Sequence, residues 1–319
     1  MTRFCYYQLP TTMPQLTHKT LIVVAGPTAV GKTVAAIELA KHFNTVVVSA
    51  DSRQFFREMA IGTAKPNVAE LAAVKHYFID SHSIAEPFSV GDFEKQGLAL
   101  LNELFKTHDH VILAGGSGLY IKAICEGFDD LPTADPSIRE KLNKELEEKG
   151  IESLQQKLKL ADPVYYEEVD LGNPQRIIRA LEVFESSGKP ISSYRQATVN
   201  KRPFNIIKLA LSLPREVLYN RINERVNIMV QQGLLAEVSA LLPYRHLNAL
   251  NTVGYTELFD YFDGKTSLDK AIEMIKQNTR RFAKRQLTWF RKDSSFHWFQ
   301  ANEPDLLDQM ISTVEKQAV

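Results

Sequence analysis

Between Thr20 and Ala25 the chain runs Thr-Leu-Ile-Val-Val-Ala. An apolar, β-branched stretch without polar alternation predicts a strand buried on both faces, as in a parallel sheet. A glycine-rich turn follows. From Lys32 to Phe43 the apolar positions Ala36, Leu39, Ala40 and Phe43 recur at helical spacing, and Val46 to Ala50 is again continuous and apolar. Strand, loop, helix, strand is the repeating unit of a doubly wound α/β sheet. Two more strands are predicted: Val111 to Ala114, which runs into Gly115-Gly116-Ser117-Gly118, and Ile206 to Leu213 ahead of Pro214.

The pattern changes between these last two strands. Pro132 and Pro136 open a segment whose periodicity is helical over Ser137 to Lys149, Glu152 to Leu160 and Pro174 to Ser186, with no convincing strand. Strand signals resume after Pro203. The chain therefore reads as an N-terminal extension (1–19), a sheet domain in two pieces (20–126 and 203–319) and a helical insertion (127–202). After the insertion, helices are expected from Glu216 to Leu242 and from Leu268 to Arg291, the second with Ile272, Ile275, Phe282 and Phe290 toward the core.

Composition adds limits. At 319 residues, 44% hydrophobic and 24% charged, the chain can bury a substantial core, and disordered, collagen-like and disulfide-rich classes are excluded. Cys5 and Cys125, the two cysteines, form neither a zinc cluster nor a disulfide framework. No apolar run approaches membrane-spanning length and no signal peptide opens the chain, so a cytoplasmic protein with no membrane partner is expected. Met13 is an alternative start. The 38 basic and 38 acidic residues cancel, and bulk charge points to no polyanionic partner.

The turn after the first strand changes that picture. Gly26, Pro27, Thr28, Ala29, Val30, Gly31, Lys32 and Thr33 match G-x-x-x-x-G-K-[ST] in full. In such a loop backbone N–H groups converge on phosphate oxygens, the lysine adds a positive charge, and the Thr33 hydroxyl is suited to holding Mg²⁺. The loop predicts a di- or triphosphate ligand. A motor or switch NTPase would also carry an aspartate at the end of a later strand, and Val111 to Ala114 ends in glycine instead. The strand that does end in a carboxylate is Val46 to Ala50, at Asp51. That residue reads equally as a ligand group in the crevice beyond the strands or as a helix N-cap.

Eight blocks in order resemble the tRNA dimethylallyltransferase (isopentenylpyrophosphate transferase) family: GPTAVGKT (26–33), SADSRQ (49–54), IGTAKP (61–66), HYFID (76–80), AGGSGLYIKA (114–123), NPQRIIRALEV (173–183), VGYTEL (253–258) and NTRRFAKRQLTWFR (278–291). The resemblance spans about residues 20 to 295. It implies a P-loop NTPase-like fold and transfer of the dimethylallyl group from dimethylallyl diphosphate to N6 of adenosine 37 of tRNA, with Mg²⁺ and release of diphosphate. It further implies that the phosphate loop holds the prenyl donor, that Asp51 is the general base, and that Ser117, where the family usually carries threonine, hydrogen-bonds Asp51 and the donor's bridging oxygen. Arg221 and Arg225 lie four apart on one helix face, and one of them, by preference Arg225, reaches the diphosphate; the alternative for both is surface ion pairing.

The anticodon stem-loop is assigned by the same resemblance to Asp51, Ser52, Arg53 and Gln54, with Gln54 reading an adenine edge; to Ser117; to Arg139; and to Gln175, Arg176, Ile177, Ile178 and Arg179. Seven cations and no acid lie between Lys276 and Lys292, with Arg281, Lys284, Arg285 and Arg291 on one helix face, and the first three are assigned to the RNA. Trp289 is expected in the core. Three rivals remain: an adenylate dimethylallyltransferase, which would not need the arginine-bearing insertion; a P-loop kinase or NTPase, which lacks its strand-end aspartate; and a non-catalytic RNA-binding protein, which would not need Lys32, Thr33, Asp51 and Ser117 together. No obligate protein partner is implied, and a monomer is expected.

Overall fold

The structure is a computed structural model that describes residues 19–127, 131–132, 135–194 and 201–317. Residues 1–18 of the expected extension, Cys5 and Met13 among them, lie outside the described residues. The chain divides into two compact units, Gly127–Asn200 and the remainder.

The larger unit is built on six strands: β1 (Thr20–Ala25), β2 (Val47–Ser49), β3 (His76–Tyr77), β4 (His110–Gly115), β5 (Asn205–Ser212) and β6 (Phe296–Gln300). They pair in the order β3-β2-β4-β1-β5-β6, every pair parallel. Side chains of β1 alternate between two apolar layers. Leu21, Val23 and Ala25 enter one with Val111 and Leu113, while Ile22 and Val24 enter the other with Ile112 and Leu209. Burial on both faces is why β1 reads as an unbroken apolar run. The sheet is doubly wound, as the strand and helix periods predict, and P-loop NTPase-like, as the resemblance implies.

Parallel register brings the functional loops together. Ala25 at the end of β1 lies beside Gly115 at the end of β4, and Ala114 lies beside Ser49 of β2. The phosphate loop, the glycine loop and Asp51 therefore leave the sheet along the same edge.

Three expectations about elements need correction. The helix expected from Glu216 to Leu242 is two, Arg215–Gln231 and Leu234–Ala240, broken at Gly233 with φ of +103°. On the Leu268–Phe290 helix, Phe282 and Trp289 do not point into the core; they are 39% and 42% exposed, while Ile275, Ala283, Gln286 and Phe290 are buried. The side chain of Trp289 lies over the Gly118 backbone.

The smaller unit contains helices Pro136–Lys149, Ile151–Ala161, Pro163–Glu168 and Pro174–Ser187 and a short 3₁₀ turn, Ile191–Tyr194, with no strand among the described residues. Three of the helices start at an Asp-Pro or Asn-Pro pair. Asp135 accepts from Ser137 N–H at 2.9 Å, Asp162 from Tyr165 N–H at 2.9 Å and Asn173 from Arg176 N–H at 3.3 Å. The cap satisfies an orphan amide, and the proline that follows has no N–H to leave unsatisfied. Leu142, Leu154, Leu158, Tyr165 and Leu181 form this unit's core.

Ile177 and Ile178, expected among the RNA contacts, are wholly buried in that core. They form the apolar stripe of an amphipathic helix whose outward positions are Gln175, Arg176 and Arg179. Arg139 is not a free cation either. Its guanidinium makes a two-pronged ion pair with Glu182, which is 2% exposed, and Arg179 Nη1 reaches the same carboxylate at 3.4 Å. A carboxylate buried this deeply needs such partners, and Arg139 and Arg179 supply them while their outer edges stay accessible.

Candidate active site

The phosphate loop departs from β1 with Gly26 at φ +148° and reaches the helix at Gly31, φ +112°. Side chains rarely tolerate these angles, so glycine is required at both positions. The Lys32–His42 helix begins without a side-chain cap, leaving its leading N–H groups directed at the space beyond the sheet. Lys32 donates to Pro27 O at 2.7 Å. Lys32, Thr33, Asp51, Ser117, Arg221 and Arg225 all line one cavity of about 1160 Å³. Thr28, Ala29 and Gly31 of the loop line it too, whereas Gly26, Pro27 and Val30 do not.

Electrostatics within it are uneven. Burial pushes the Lys32 ammonium down to about 8; Asp51 opposes the shift and Arg225 adds to it. Lysine retains some solvent contact, but the protein around its ammonium has displaced much of the water that would stabilise the charge. Burial likewise lowers Arg225, against the pull of Glu70. Arg221 is the more exposed of the two arginines and reaches Val30 O in the phosphate loop at 3.4 Å. Arg225 is therefore the more deeply set of the two, and Arg221 lies against the phosphate loop.

Asp51 does not cap a helix. It stands at the head of a turn, and its Oδ1 accepts from Arg53 N–H at 3.0 Å. Ser117 Oγ accepts from Ser52 N–H at 3.0 Å, a different partner from the Asp51 carboxylate expected for it, and this leaves the hydroxyl proton to donate. Gly115 permits this arrangement, because a Cβ there would lie 2.2 Å from Ala50 O. Arg53 Nη1 donates to Ser52 O at 3.0 Å, while its Nε is buried without a hydrogen-bond partner. Gln54 is committed elsewhere than to a base edge: Nε2 donates to Thr63 O and Ala64 O at 3.2 and 3.1 Å, and Oε1 accepts from Ser49 Oγ at 3.2 Å.

Sequence reasoning missed the groups that hold the opposite wall. Glu237 accepts from three successive amides, Ala60, Ile61 and Gly62, at 3.0, 2.7 and 2.9 Å, and from Tyr255 OH at 2.6 Å. Glu257, 3% exposed, accepts from Gly254 N–H and from Asn278 Nδ2 at 2.8 and 2.7 Å. Lys65 pairs with Asp80 and donates to Phe56 O. The IGTAKP, HYFID, VGYTEL and NTRRF blocks are thus stitched into one polar frame around the cavity. Their signal was charged residues inside otherwise apolar or glycine-containing blocks. Glu237→Ala orphans three amides at once and is expected to cost about 3 kcal/mol of stability, read as a lower urea midpoint. Glu237→Gln, which keeps one acceptor oxygen, is expected to fall between.

Among the described residues no group of three or more His, Cys, Asp or Glu converges on a metal position. The Thr33 hydroxyl at the head of the helix fits a magnesium ion held mainly by phosphate oxygens and water, the usual mode for that ion.

Residues 54–293 match the family model described as IPP transferase. The chain belongs to the IPP transferase family. One relative is the tRNA dimethylallyltransferase of Christiangramia forsetii, 56% identical over 298 residues that cover 92% of this chain and 99% of the relative. The crystal structure of the full-length tRNA isopentenylpyrophosphate transferase of Bacillus halodurans is 36% identical, covers 93% of this chain and 97% of its own, and has a TM-score of 0.69. A eukaryotic dimethylallyltransferase acting on tRNA, 24% identical with a TM-score of 0.76, supports the fold over 94% of this chain and 77% of its own. In this chain the phosphate loop precedes the matched segment, which runs from Gln54 through Asp293.

Proposed function

We propose that the protein is a tRNA dimethylallyltransferase, which moves the dimethylallyl group of dimethylallyl diphosphate onto the N6 amine of adenosine 37, just 3′ of the anticodon, and releases diphosphate. The observation that carries this reading is the pairing, in one cavity, of a phosphate loop that bears Lys32 and leads into a helix without a side-chain cap with a strand-end carboxylate, Asp51. The carboxylate leaves β2, whereas β4 ends in glycine, so the site is furnished for a diphosphate leaving group and a proton acceptor.

The chemistry follows from where charge develops. As the allylic C–O bond breaks, negative charge grows on the diphosphate, and the loop amides, Lys32 and Arg225 lie preorganised around it. Bound magnesium held at Thr33 would supply further neutralisation of that charge. The adenine amine is a weak nucleophile because its lone pair is delocalised into the ring. It becomes competent by losing a proton to Asp51 as the C–N bond forms. Ser117 retains a hydroxyl proton to offer to the donor's bridging oxygen. The acceptor base must leave its stack to enter the cavity. Arg53, with a buried and unpartnered Nε, is suited to a phosphate or base acceptor on that path.

For the RNA, the exposed cations Arg176, Arg281, Lys284 and Arg285, together with Gln175, offer backbone contacts. Arg139 and Arg179 contribute only their outer edges, since Glu182 holds the rest. A cytoplasmic enzyme acting as a monomer completes the reading; among the described residues no helix is long and apolar enough to cross a membrane.

Incubation with labelled dimethylallyl diphosphate and Mg²⁺ in the presence of tRNA, AMP or ATP tests it. Label in tRNA is expected; label in AMP instead, or phosphate release from ATP with no prenyl transfer, would overturn it. Replacing Arg281 and Lys284 together with alanine should reduce the slope of log affinity for tRNA against log salt by roughly 1.5, the value for two phosphate contacts. An unchanged slope would mean that this helix face does not meet the RNA.

A further inference from the structure

Gln286 sits on the Leu268–Phe290 helix and is 7% exposed. Its amide joins two loops of the site. Oε1 accepts from Thr28 N–H in the phosphate loop at 2.9 Å, and Nε2 donates to Gly116 O in the glycine loop at 2.8 Å. The orientation is fixed by chemistry, because exchanging oxygen and nitrogen would oppose donor to donor and acceptor to acceptor. Position 116 is glycine for a related reason: a Cβ there would lie 2.3 Å from Nε2.

Beyond Gly116 the bonds continue toward the base. Ser117 N–H donates to Ala50 O at 3.3 Å, and Ser117 Oγ accepts from Ser52 N–H, so the two residues flanking Asp51 are both tied to the glycine loop. The path runs from the loop that cradles the leaving group, through one side-chain amide, to the backbone on either side of Asp51. Both polar ends of the Gln286 amide are taken up by Thr28 and Gly116. It acts through the loops it joins.

Resting on the prenyl-transfer reading above, the geometry points to Gln286 as a positioning residue that keeps the phosphate loop in register with the glycine loop, so that donor carbon and acceptor amine are held at reacting distance. Misplacement of reacting groups by about 1 Å costs on the order of 100-fold in rate. Gln286→Met keeps the length of the side chain and removes both bonds. It is expected to lower kcat by about 10- to 100-fold while KM for dimethylallyl diphosphate stays within about threefold, because the loss falls on the transition state and not on ground-state binding. A residue that only stabilised the fold would lower the melting temperature and leave kcat of the folded enzyme unchanged.

Gln286→Glu supplies the conservative test. Protonated, its carboxylic acid can accept from Thr28 N–H and donate to Gly116 O, restoring both bonds. Ionised, it sets a negative oxygen against the Gly116 carbonyl, and burial raises its pKa into the working range. The ratio of variant to wild-type kcat should therefore rise as pH falls from 8 to 5.5. The charged groups lining the same cavity, Lys32, Asp51, Arg221, Arg225 and Arg285 among them, are common to both proteins, and their own titrations divide out.

Hydrogen exchange at the Thr28 amide of the free protein gives a readout independent of the reaction: protection in the wild type, lost in Gln286→Met. A normal kcat in folded Gln286→Met, a flat ratio in Gln286→Glu, or unchanged Thr28 protection would each overturn the assignment. Should the Met variant fail to fold, the pH ratio of the Glu variant decides. A wild type that transfers no prenyl group to any acceptor would defeat the functional reading instead, and Thr28 exchange would still report whether Gln286 holds the loop.

Discussion

Asp51→Asn should lower turnover by at least about 100-fold while leaving tRNA affinity nearly intact, the scale expected for removing a general base. Asparagine is the informative choice because its Oδ1 can still accept from Arg53 N–H, the bond that Asp51 makes in the turn. The variant thus keeps the local backbone and loses the ability to take a proton. Asp51→Ala removes both. Single-turnover transfer from labelled donor, with filter binding of tRNA alongside, measures the two quantities separately. If Asp51 served only the turn, Asn would restore the wild-type rate and Ala would not; if it serves as base, both variants fall together.

The contrast at Asp51 also shows what the sequence could and could not reveal. The doubly wound sheet was legible because β1, β4 and β5 are buried on both faces, and that burial writes a continuous apolar run into the chain. β3 was not legible, being two residues long. β6 was missed because Phe-His-Trp-Phe-Gln lies at the sheet edge, with Phe296 and Phe299 buried and His297 and Gln300 exposed, too short an alternation to read. Phe282 and Trp289 were misjudged because hydrophobicity predicts burial only in one direction: a globular surface retains apolar residues, and these two are 39% and 42% exposed.

Within the site, the phosphate loop could be read residue by residue because its chemistry is local. A single turn places every N–H, and glycine spacing reports it. Glu237, Glu257 and Gln286 act over long separations; Gln286 meets Thr28 across 258 positions of sequence. No local pattern encodes such a contact, and only the packing of the Leu268–Phe290 helix against the loops beyond the sheet brings its ends together. Arg139 shows the same limit from the other side. The resemblance offered it to the RNA, and the partner that claims it, Glu182, lies 43 residues away. The charge balance of 38 against 38 is silent for a related reason, since screening confines each charge to roughly 8 to 10 Å and an RNA backbone senses the patch and not the sum.

Lys32→Met should reduce kcat by about 10²- to 10³-fold, the usual loss when one preorganised charge is removed from a developing anion. Its titration makes a sharper forecast. Burial holds the Lys32 ammonium at about 8, against an ordinary 10.5, so the free enzyme carries this charge below pH 8 and loses it above. Diphosphate binding favours the charged form. Donor kcat/KM should therefore be level below about pH 7 and fall by roughly tenfold per unit above pH 8, where each binding event must first recover a proton. Lys32→Arg, charged throughout, should lose this limb of the profile even though its planar group fits the loop less well. Stability moves the other way. Between pH 8 and 10.5 the unfolded lysine holds a proton that the folded one has released, so the unfolded state binds more protons and the Lys32 contribution to stability rises with pH. A donor affinity that falls while the thermal midpoint of the free protein holds or climbs separates titration of Lys32 from alkaline unfolding; a fall in both together would assign the loss to the fold and not to this ammonium.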